Sequence, residues 1–183
     1  MDQIKINGCL RLSDESLTAI ARSCPLLLEV DLAGLPQLTS ATIHALLLNA
    51  PELRELKVPQ NTFITSDAFP NVPDLYHMSE PESETRAIHS PTFTTTAVDP
   101  TLSTTGPLRM LRPVVPRLDC LKVVDLTNCT AFGDDGLKNL VDSAPKLRFL
   151  TLAKCALLTD DGVKHIAKLG KYLHHLHIAH VKL

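Results

Sequence analysis

The sequence predicts an α/β solenoid, a fold in which short strand-turn-helix units stack side by side along the chain. The first observation is an internal repeat, since residues 121–150 recur at 147–176 with an offset of 26. Leu126 recurs as Leu152, Cys129 as Cys155, Asp134-Asp135-Gly136 as Asp160-Asp161-Gly162, and Leu150 as Leu176. The second observation is that each unit passes from a strand-like segment to apolar residues at helical spacing. A fixed period of this length is typical of solenoids, whose units bury their apolar faces only against their neighbours.

The strand segments follow the pattern L-x-x-L-x-L-x-x-C, which is the leucine-rich-repeat signature with cysteine at the turn. The predicted fold is therefore a leucine-rich-repeat solenoid, a horseshoe like that of ribonuclease inhibitor. About five repeats of 26 residues and one long insert account for the 183 residues.

The first repeat begins with a strand and turn over residues 3–9, in which Ile6 and Cys9 occupy the positions of Leu126 and Cys129. A helix follows, with its apolar face formed by Leu17, Ile20, Ala21 and Cys24. Ser13-Asp14-Glu15 supplies a helix cap and first-turn acids, and Pro25 ends the helix.

The second repeat runs from Leu27 to Ala50, with Thr39-Ser40 as its helix cap and Pro51 as its stop. Its inward residues are Val30 and Leu32 on the strand and Ile43, Leu46, Leu47 and Ala50 on the helix. The third repeat begins with Leu53, Leu56 and Val58, and Asn61 stands at the turn-cysteine position. Its pattern fails after Phe69, because Pro70 and Pro73 cannot extend a helix.

Three segments are expected: repeats over 1–69, an insert over 70–117, and further repeats over 118–183 that end in the strand of a sixth unit. The insert is rich in Ser, Thr and Pro, with 12 Ser or Thr among the 28 residues from 79 to 106. Such a segment buries too little apolar surface to order itself, so we expect it to be mostly disordered. Ser79 and Ser90 are candidate phosphorylation sites, with an unmodified solvated loop as the alternative.

The charge, the cysteine content and the motifs of the chain limit the classes of function that we expect. The net charge of −2 gives no basic field for nucleic acid, and no run of 18 apolar residues suggests a membrane span. The five cysteines and a start without a secretory signal favour reduced thiols in the cytoplasm or nucleus. No glycine-rich phosphate loop or nucleophile elbow is present, so we expect no enzyme activity and no cofactor.

Strand alternation predicts a concave protein-binding face, since every second strand residue points away from the core. Its predicted members are Lys5, Glu29, Asp31, Glu55, Lys57, Val123, Asp125, Phe149, Thr151, His175 and His177. Acids and bases are mixed along this set, so these strand residues do not predict phosphate recognition.

Three clusters of residues each allow two interpretations, one as a chemical site and one as part of the structure. His174, His175, His177 and His180 suggest metal chelation or a polar contact surface, and no acid or Cys completes a tetrahedral set in the same unit. Cys129, Cys155 and Cys9 share one repeat position, which suggests zinc or redox chemistry or a ladder of small buried side chains. The Asp134-Asp135 and Asp160-Asp161 pairs suggest calcium or acid–base chemistry, but their register favours helix capping.

The turn cysteine, the T-D-D-G helix start and the A/C-P-x-L-x-x-L helix exit resemble the leucine-rich repeats of F-box proteins. The stretches QNTFITSDAFPNVP, LKVVDLTNCTAFGDDGL, APKLRFLTLAKCALLTDDGV and KLGKYLHHLHIAH are similar to the fungal glucose-repression-resistance type. The similarity covers residues 3–69 and 118–180. It implies the substrate-recognition repeats of a cullin-type (SCF) ubiquitin ligase subunit, which promotes ubiquitin-dependent protein degradation.

The resemblance also implies partners. A protein substrate would bind the concave face, and the ligase adaptor and cullin would be reached only through an F-box, which we do not find before the first repeat. The alternative is an F-box-less leucine-rich-repeat scaffold or inhibitor that masks a protein partner.

Overall fold

The structure is a computed structural model that describes residues 2–69 and 117–181, and these residues belong to one compact unit. It is an α/β repeat fold with one parallel sheet of six strands. The strands are β1 (Gln3–Lys5), β2 (Glu29–Asp31), β3 (Glu55–Lys57), β4 (Val123–Asp125), β5 (Phe149–Thr151) and β6 (His175–His177). The helices are α1 (Asp14–Ser23), α2 (Ser40–Asn49), α3 (Asp134–Ser143) and α4 (Asp160–His165). A 3-10 helix, Ser66–Ala68, stands in the third repeat, and a 3-10 turn, Ile166–Leu169, extends α4.

The strands follow one another across the sheet in chain order, from β1 to β6. Each strand pairs in parallel with the next in the same register, so that Val30 faces Leu56 and Val124 faces Leu150. At the third step Glu55 pairs with Val123, 68 positions on. This separation exceeds one 26-residue repeat by 42 residues, yet the register is unchanged across it.

The core lies on the helix-facing side of the sheet. The central residue of each of the first five strands, from Ile4 to Leu150, is at most 4% exposed, and the leucines of the helices pack against them. Fully burying one such side chain contributes roughly 1.5 to 3 kcal/mol, so this apolar ladder supplies the main stabilisation of the sheet. Leu176 in β6 is 40% exposed, because no described strand pairs with its outer edge.

In the turn that follows each strand, one residue adopts a left-handed backbone conformation. The equivalent positions are Gly8, Gly34, Gln60, Asn128, Lys154 and His180, all with φ between 56 and 67°. The amides of the first five donate to the next repeat, as Gln60 N does to Thr127 O at 2.7 Å. Glycine adopts this conformation freely and other residues at a cost of roughly 1 kcal/mol, so hydrogen bonding between repeats imposes the turn on Gln60 and Lys154.

The helix starts agree in part with expectation. Thr39 caps α2 as predicted, because its hydroxyl accepts from Ala41 N at 3.2 Å. As predicted, Ser13-Asp14-Glu15 supplies the cap position and the first-turn acids of α1. Ser13 occupies the cap position, but its hydroxyl makes no capping bond and lies 3.4 Å from the Ser16 hydroxyl.

The first residue of several helices instead binds the cap of the next repeat, and we call this contact the cap staple. Asp14 accepts from Thr39 N at 2.9 Å and from its hydroxyl at 2.5 Å. Asp134 accepts from Thr159 N at 2.8 Å and from its hydroxyl at 2.6 Å. Asp134-Asp135 and Asp160-Asp161 do start α3 and α4, but the Asp134 carboxylate joins two repeats rather than capping its own helix.

Most of the predicted insert, residues 70–117, lies outside the described residues, as do Ser79 and Ser90. No helix in the described part of the chain is long and apolar enough to cross a membrane.

Candidate protein-binding face

The residues predicted for the concave face, joined by Gln3, which was not predicted, form two rows across the six strands. The first row is Gln3, Glu29, Glu55, Val123, Phe149 and His175, and the second is Lys5, Asp31, Lys57, Asp125, Thr151 and His177. Every member of both rows is half-buried or exposed, whereas the residue between them on each of the first five strands is buried. Both rows therefore lie on the side of the sheet opposite the core, which we call the exposed sheet face.

On β1 to β3 the exposed sheet face carries polar contacts between side chains. Lys57 Nζ lies 2.7 Å from Glu55 Oε2, and the Gln3 amide donates to Glu29. The hydrogen bond to Glu55 raises the pKa of Lys57, with smaller contributions from the charges of Asp31 and Glu29 and a partial offset from burial. The lysine thus stays charged and neutralises part of the carboxylate cluster.

On β5 and β6 the same face is aromatic. Phe149 is 44% exposed, and its ring centroid lies 6.4 Å from that of His174 and 6.3 Å from that of His175. The first pair is edge-to-face, an arrangement that aromatic rings favour because of their quadrupoles. These three rings form an open platform at one end of the sheet.

The sequence prediction missed a row of basic residues directly before the strands. Lys122 N donates to Arg54 O at 2.8 Å, Arg148 N to Lys122 O at 2.9 Å, and His174 N to Arg148 O at 2.8 Å. The four residues therefore occupy equivalent positions in adjacent repeats. The signal was available as basic residues 26 apart at 122 and 148, one position outside the strand rows.

The turn-cysteine position lies away from this face, in the core. Asn61, Cys129 and Cys155 are all fully buried, and each donates to a carbonyl of the preceding repeat. Cys129 Sγ lies 3.3 Å from Val58 O, and Cys155 Sγ lies 3.2 Å from Leu126 O. These thiols thus help to join repeats. Cys9, at the same repeat position, is exposed.

The buried thiols of Cys129 and Cys155 are protonated and therefore unreactive at neutral pH. Burial raises the pKa of Cys129 to about 12 and that of Cys155 to about 11, from an ordinary 9.0. Because the thiolate is the nucleophile, we expect iodoacetamide at pH 8 to modify Cys9 rapidly and both buried cysteines only after unfolding. Mass spectrometry of trapped peptides would check this, with urea-unfolded protein as the control. Fast labelling of Cys129 in folded protein would contradict it.

The raised pKa values of these two thiols also determine how the free energy of unfolding changes with pH. Both thiols bind their protons more tightly in the folded state, so their contribution is complete below pH 9 and is lost as pH rises from 9 towards 11 and 12. Unfolding at increasing pH would show this decline, and it should be smaller in Cys129→Ala.

The histidines do not assemble with other ligands. His175 and His177 lie on the same face of β6, but no group of three or more His, Cys, Asp or Glu side chains in 2–69 and 117–181 is placed to hold a metal ion. The histidines belong to a surface of mixed polar and aromatic side chains.

Comparison with known proteins gives little. No family model matches the chain, and no curated protein matches it. Among solved structures, a chain of the crystal structure of the Rad7 and Elc1 complex in yeast aligns over 96% of this chain with 10% identity and a TM-score of 0.37. The alignment spans 56% of that chain, and a TM-score this low establishes neither a shared fold nor a shared function.

Proposed function

We propose that the chain is a leucine-rich-repeat solenoid that binds proteins through its exposed sheet face, and that it supplies the substrate-recognition repeats of a cullin-type ubiquitin ligase F-box protein. The observation that carries the binding role is the exposed sheet face itself. Twelve outward positions on six strands stand in unbroken register, and the apolar ladder beneath the first five strands is buried.

This geometry suits recognition. Neighbouring strands lie about 4.8 Å apart, so six strands extend roughly 24 Å, a width that suits a protein contact of ordinary size, about 800 Å² per partner. The backbone beneath is fixed by the ladder between repeats, so little conformational entropy is lost when a partner docks. The face mixes charges with an exposed aromatic residue, a composition found in protein interfaces.

The ligase role is supported by the sequence resemblance, in particular the turn cysteines, the T-D-D-G helix starts and KLGKYLHHLHIAH. Under this proposal the chain binds its protein substrate directly and reaches the adaptor and cullin through an F-box. The chain itself catalyses no reaction, uses no cofactor, and acts in the cytoplasm or nucleus.

The test is purification of the endogenous protein through a C-terminal tag, with intact mass and partners determined together. We expect the ligase adaptor and cullin to accompany the protein, and a substrate to accumulate when cullin activity is blocked. Two variants sharpen the result: Thr151→Arg on the exposed sheet face and Lys138→Glu on the exposed side of α3.

Substrate should be lost only with Thr151→Arg, while adaptor and cullin remain with both variants. Recovery without adaptor or cullin would remove the ligase role and leave a scaffold or inhibitor that masks its partner. Substrate binding unchanged by Thr151→Arg would reject the exposed sheet face as the binding surface.

A further inference from the structure

The half of the exposed sheet face formed by β4 to β6 carries a distinct surface, which we call the basic-aromatic patch. Its members are Lys122, Val123, Arg148, Phe149, His174 and His175. Main-chain hydrogen bonds place Lys122, Arg148 and His174 in line, and strand pairing places Val123, Phe149 and His175 in the neighbouring line. Main-chain register therefore sets Lys122, Arg148 and His174 next to the line of Val123, Phe149 and His175.

The two permanent cations of this patch, Lys122 and Arg148, have no acidic partner in the described part of the chain. Among the described residues, neither Lys122 nor Arg148 forms a salt bridge. The carboxylate of Asp119, three residues before Lys122, pairs with Lys146 at 3.3 Å and Arg117 at 3.6 Å, while Lys122 Nζ donates to the main-chain oxygen of Asp119. Within 2–69 and 117–181, the positive charges of Lys122 and Arg148 are therefore not paired with a carboxylate.

The carboxylate on β4 is also engaged internally. Asp125 Oδ1 accepts from Thr127 N at 2.9 Å and from the Thr127 hydroxyl at 2.7 Å. By contrast, β2 and β3 present Glu29, Asp31 and Glu55, of which Glu55 is paired with Lys57. Carboxylates thus predominate in the strand rows of β2 and β3, where Lys57 and Arg54 lie among them, whereas Lys122 and Arg148 lie beside Phe149 without a salt bridge to any described residue.

We propose that the basic-aromatic patch binds an extended acidic segment of a partner protein that carries an apolar side chain among its carboxylates. The apolar side chain would cover Phe149, and the carboxylates would reach Arg148 and Lys122. This inference rests on the proposed protein-binding role and specifies the chemistry of its partner. The carboxylates over β2 and β3 set the direction in which the segment lies across the sheet, because they repel its acidic end.

The residue types fit this task. A guanidinium binds a carboxylate through two parallel hydrogen bonds, which gives Arg148 directional preference over a point charge. Buried aromatic and arginine side chains carry most of the binding energy in protein interfaces, and Arg148 and Phe149 are adjacent in sequence at the centre of the patch. Covering Phe149 also removes water from around the charges, which strengthens their attraction.

The test is selection of random peptides of about 12 residues displayed on phage, using the purified full chain as bait. Enriched peptides should contain Asp or Glu near an aromatic residue or leucine. Their dissociation constants, measured by fluorescence anisotropy, should rise at least tenfold with Lys122→Glu/Arg148→Glu and with Phe149→Ser, a change of about 1.4 kcal/mol per factor of ten. Higher salt should also weaken binding.

Lys138→Glu on α3 is the control: it reverses one charge, half the change made by the double variant, away from the face, and it should leave binding unchanged. Equal melting temperatures would show that every variant is folded. Enrichment of basic or uncharged peptides, binding insensitive to the double charge reversal, or the absence of any enriched peptide would overturn the proposal. Peptides lost only with Glu29→Lys would overturn it too, but would leave the exposed sheet face as the binding surface.

Discussion

Replacing Asn61 with alanine is expected to lower the free energy of unfolding by about 3 kcal/mol or more. The side chain is fully buried and makes its bonds within two neighbouring repeats. Its amide donates to Leu32 O at 2.7 Å and Val58 O at 2.9 Å, and its oxygen accepts from Leu35 N at 2.8 Å. Alanine would leave these backbone groups buried without partners, and the cavity adds to the cost. Urea denaturation measures the change.

Asn61→Cys is the informative control for that variant. A thiol stands at the equivalent position in the next two repeats, where Cys129 and Cys155 each donate to a carbonyl of the preceding repeat. The cysteine variant should therefore recover part of the loss, although nothing would bind Leu35 N. Equal stabilities for the alanine and cysteine variants would show that the hydrogen bonds of Asn61 contribute little.

Replacing Asp14 with alanine is expected to cost about 2 to 3 kcal/mol, because hydrogen bonds to a charged group contribute more than neutral ones. The carboxylate holds Thr39 N, the Thr39 hydroxyl and the Thr42 hydroxyl, the last at 2.5 Å. Its loss would remove both the cap staple and the partner of the buried Thr42 hydroxyl. Thermal unfolding followed by circular dichroism would report the change.

Asp160→Ala is the matched control for the cap staple. Asp160 occupies the same helix position in the fifth repeat but is exposed, and no hydrogen bond of its side chain is found in the described part of the chain. Its substitution should cost less than about 1 kcal/mol, mainly through the lost helix-dipole interaction. If both aspartates cost the same, the contact with Thr39 contributes nothing beyond that interaction.

Periodicity in the sequence was enough to predict the strands and most helices, because the 26-residue offset aligns residues that have the same structural role in successive repeats. It placed all the predicted face residues, from Lys5 to His177, on one side of the sheet. The side-chain contacts between repeats could not be predicted from the sequence. Periodicity shows that Asp14 and Asp134 are equivalent, but not that each carboxylate reaches the following cap.

Gly162 illustrates what that missing information would explain. A Cβ atom at Gly162 would collide with the Asp134 carboxylate, which is held in place by Thr159. At the equivalent place beside Asp14 stands Thr42, whose hydroxyl bonds to the carboxylate instead. Glycine and threonine are thus two solutions to one steric problem, and a single sequence offers no way to connect them with an aspartate 28 residues earlier.

The cap staple is incomplete at one junction, and this affects how the array unfolds. The cap preceding α3 is Gly133, which lacks the hydroxyl that Thr39, Thr65 and Thr159 contribute. Between the third and fourth repeats the helix side is joined by the edge-to-face contact of Phe69 with Phe132, at 6.0 Å, while the strands remain fully paired.

In a linear array, cooperativity depends on the coupling between each pair of neighbours. Without a cap staple, this junction relies on the paired strands and on the contact of Phe69 with Phe132 to couple the repeats that end with β3 to those that begin with β4. The rows of the exposed sheet face cross this junction, so these contacts determine whether its two parts lose their structure together or separately.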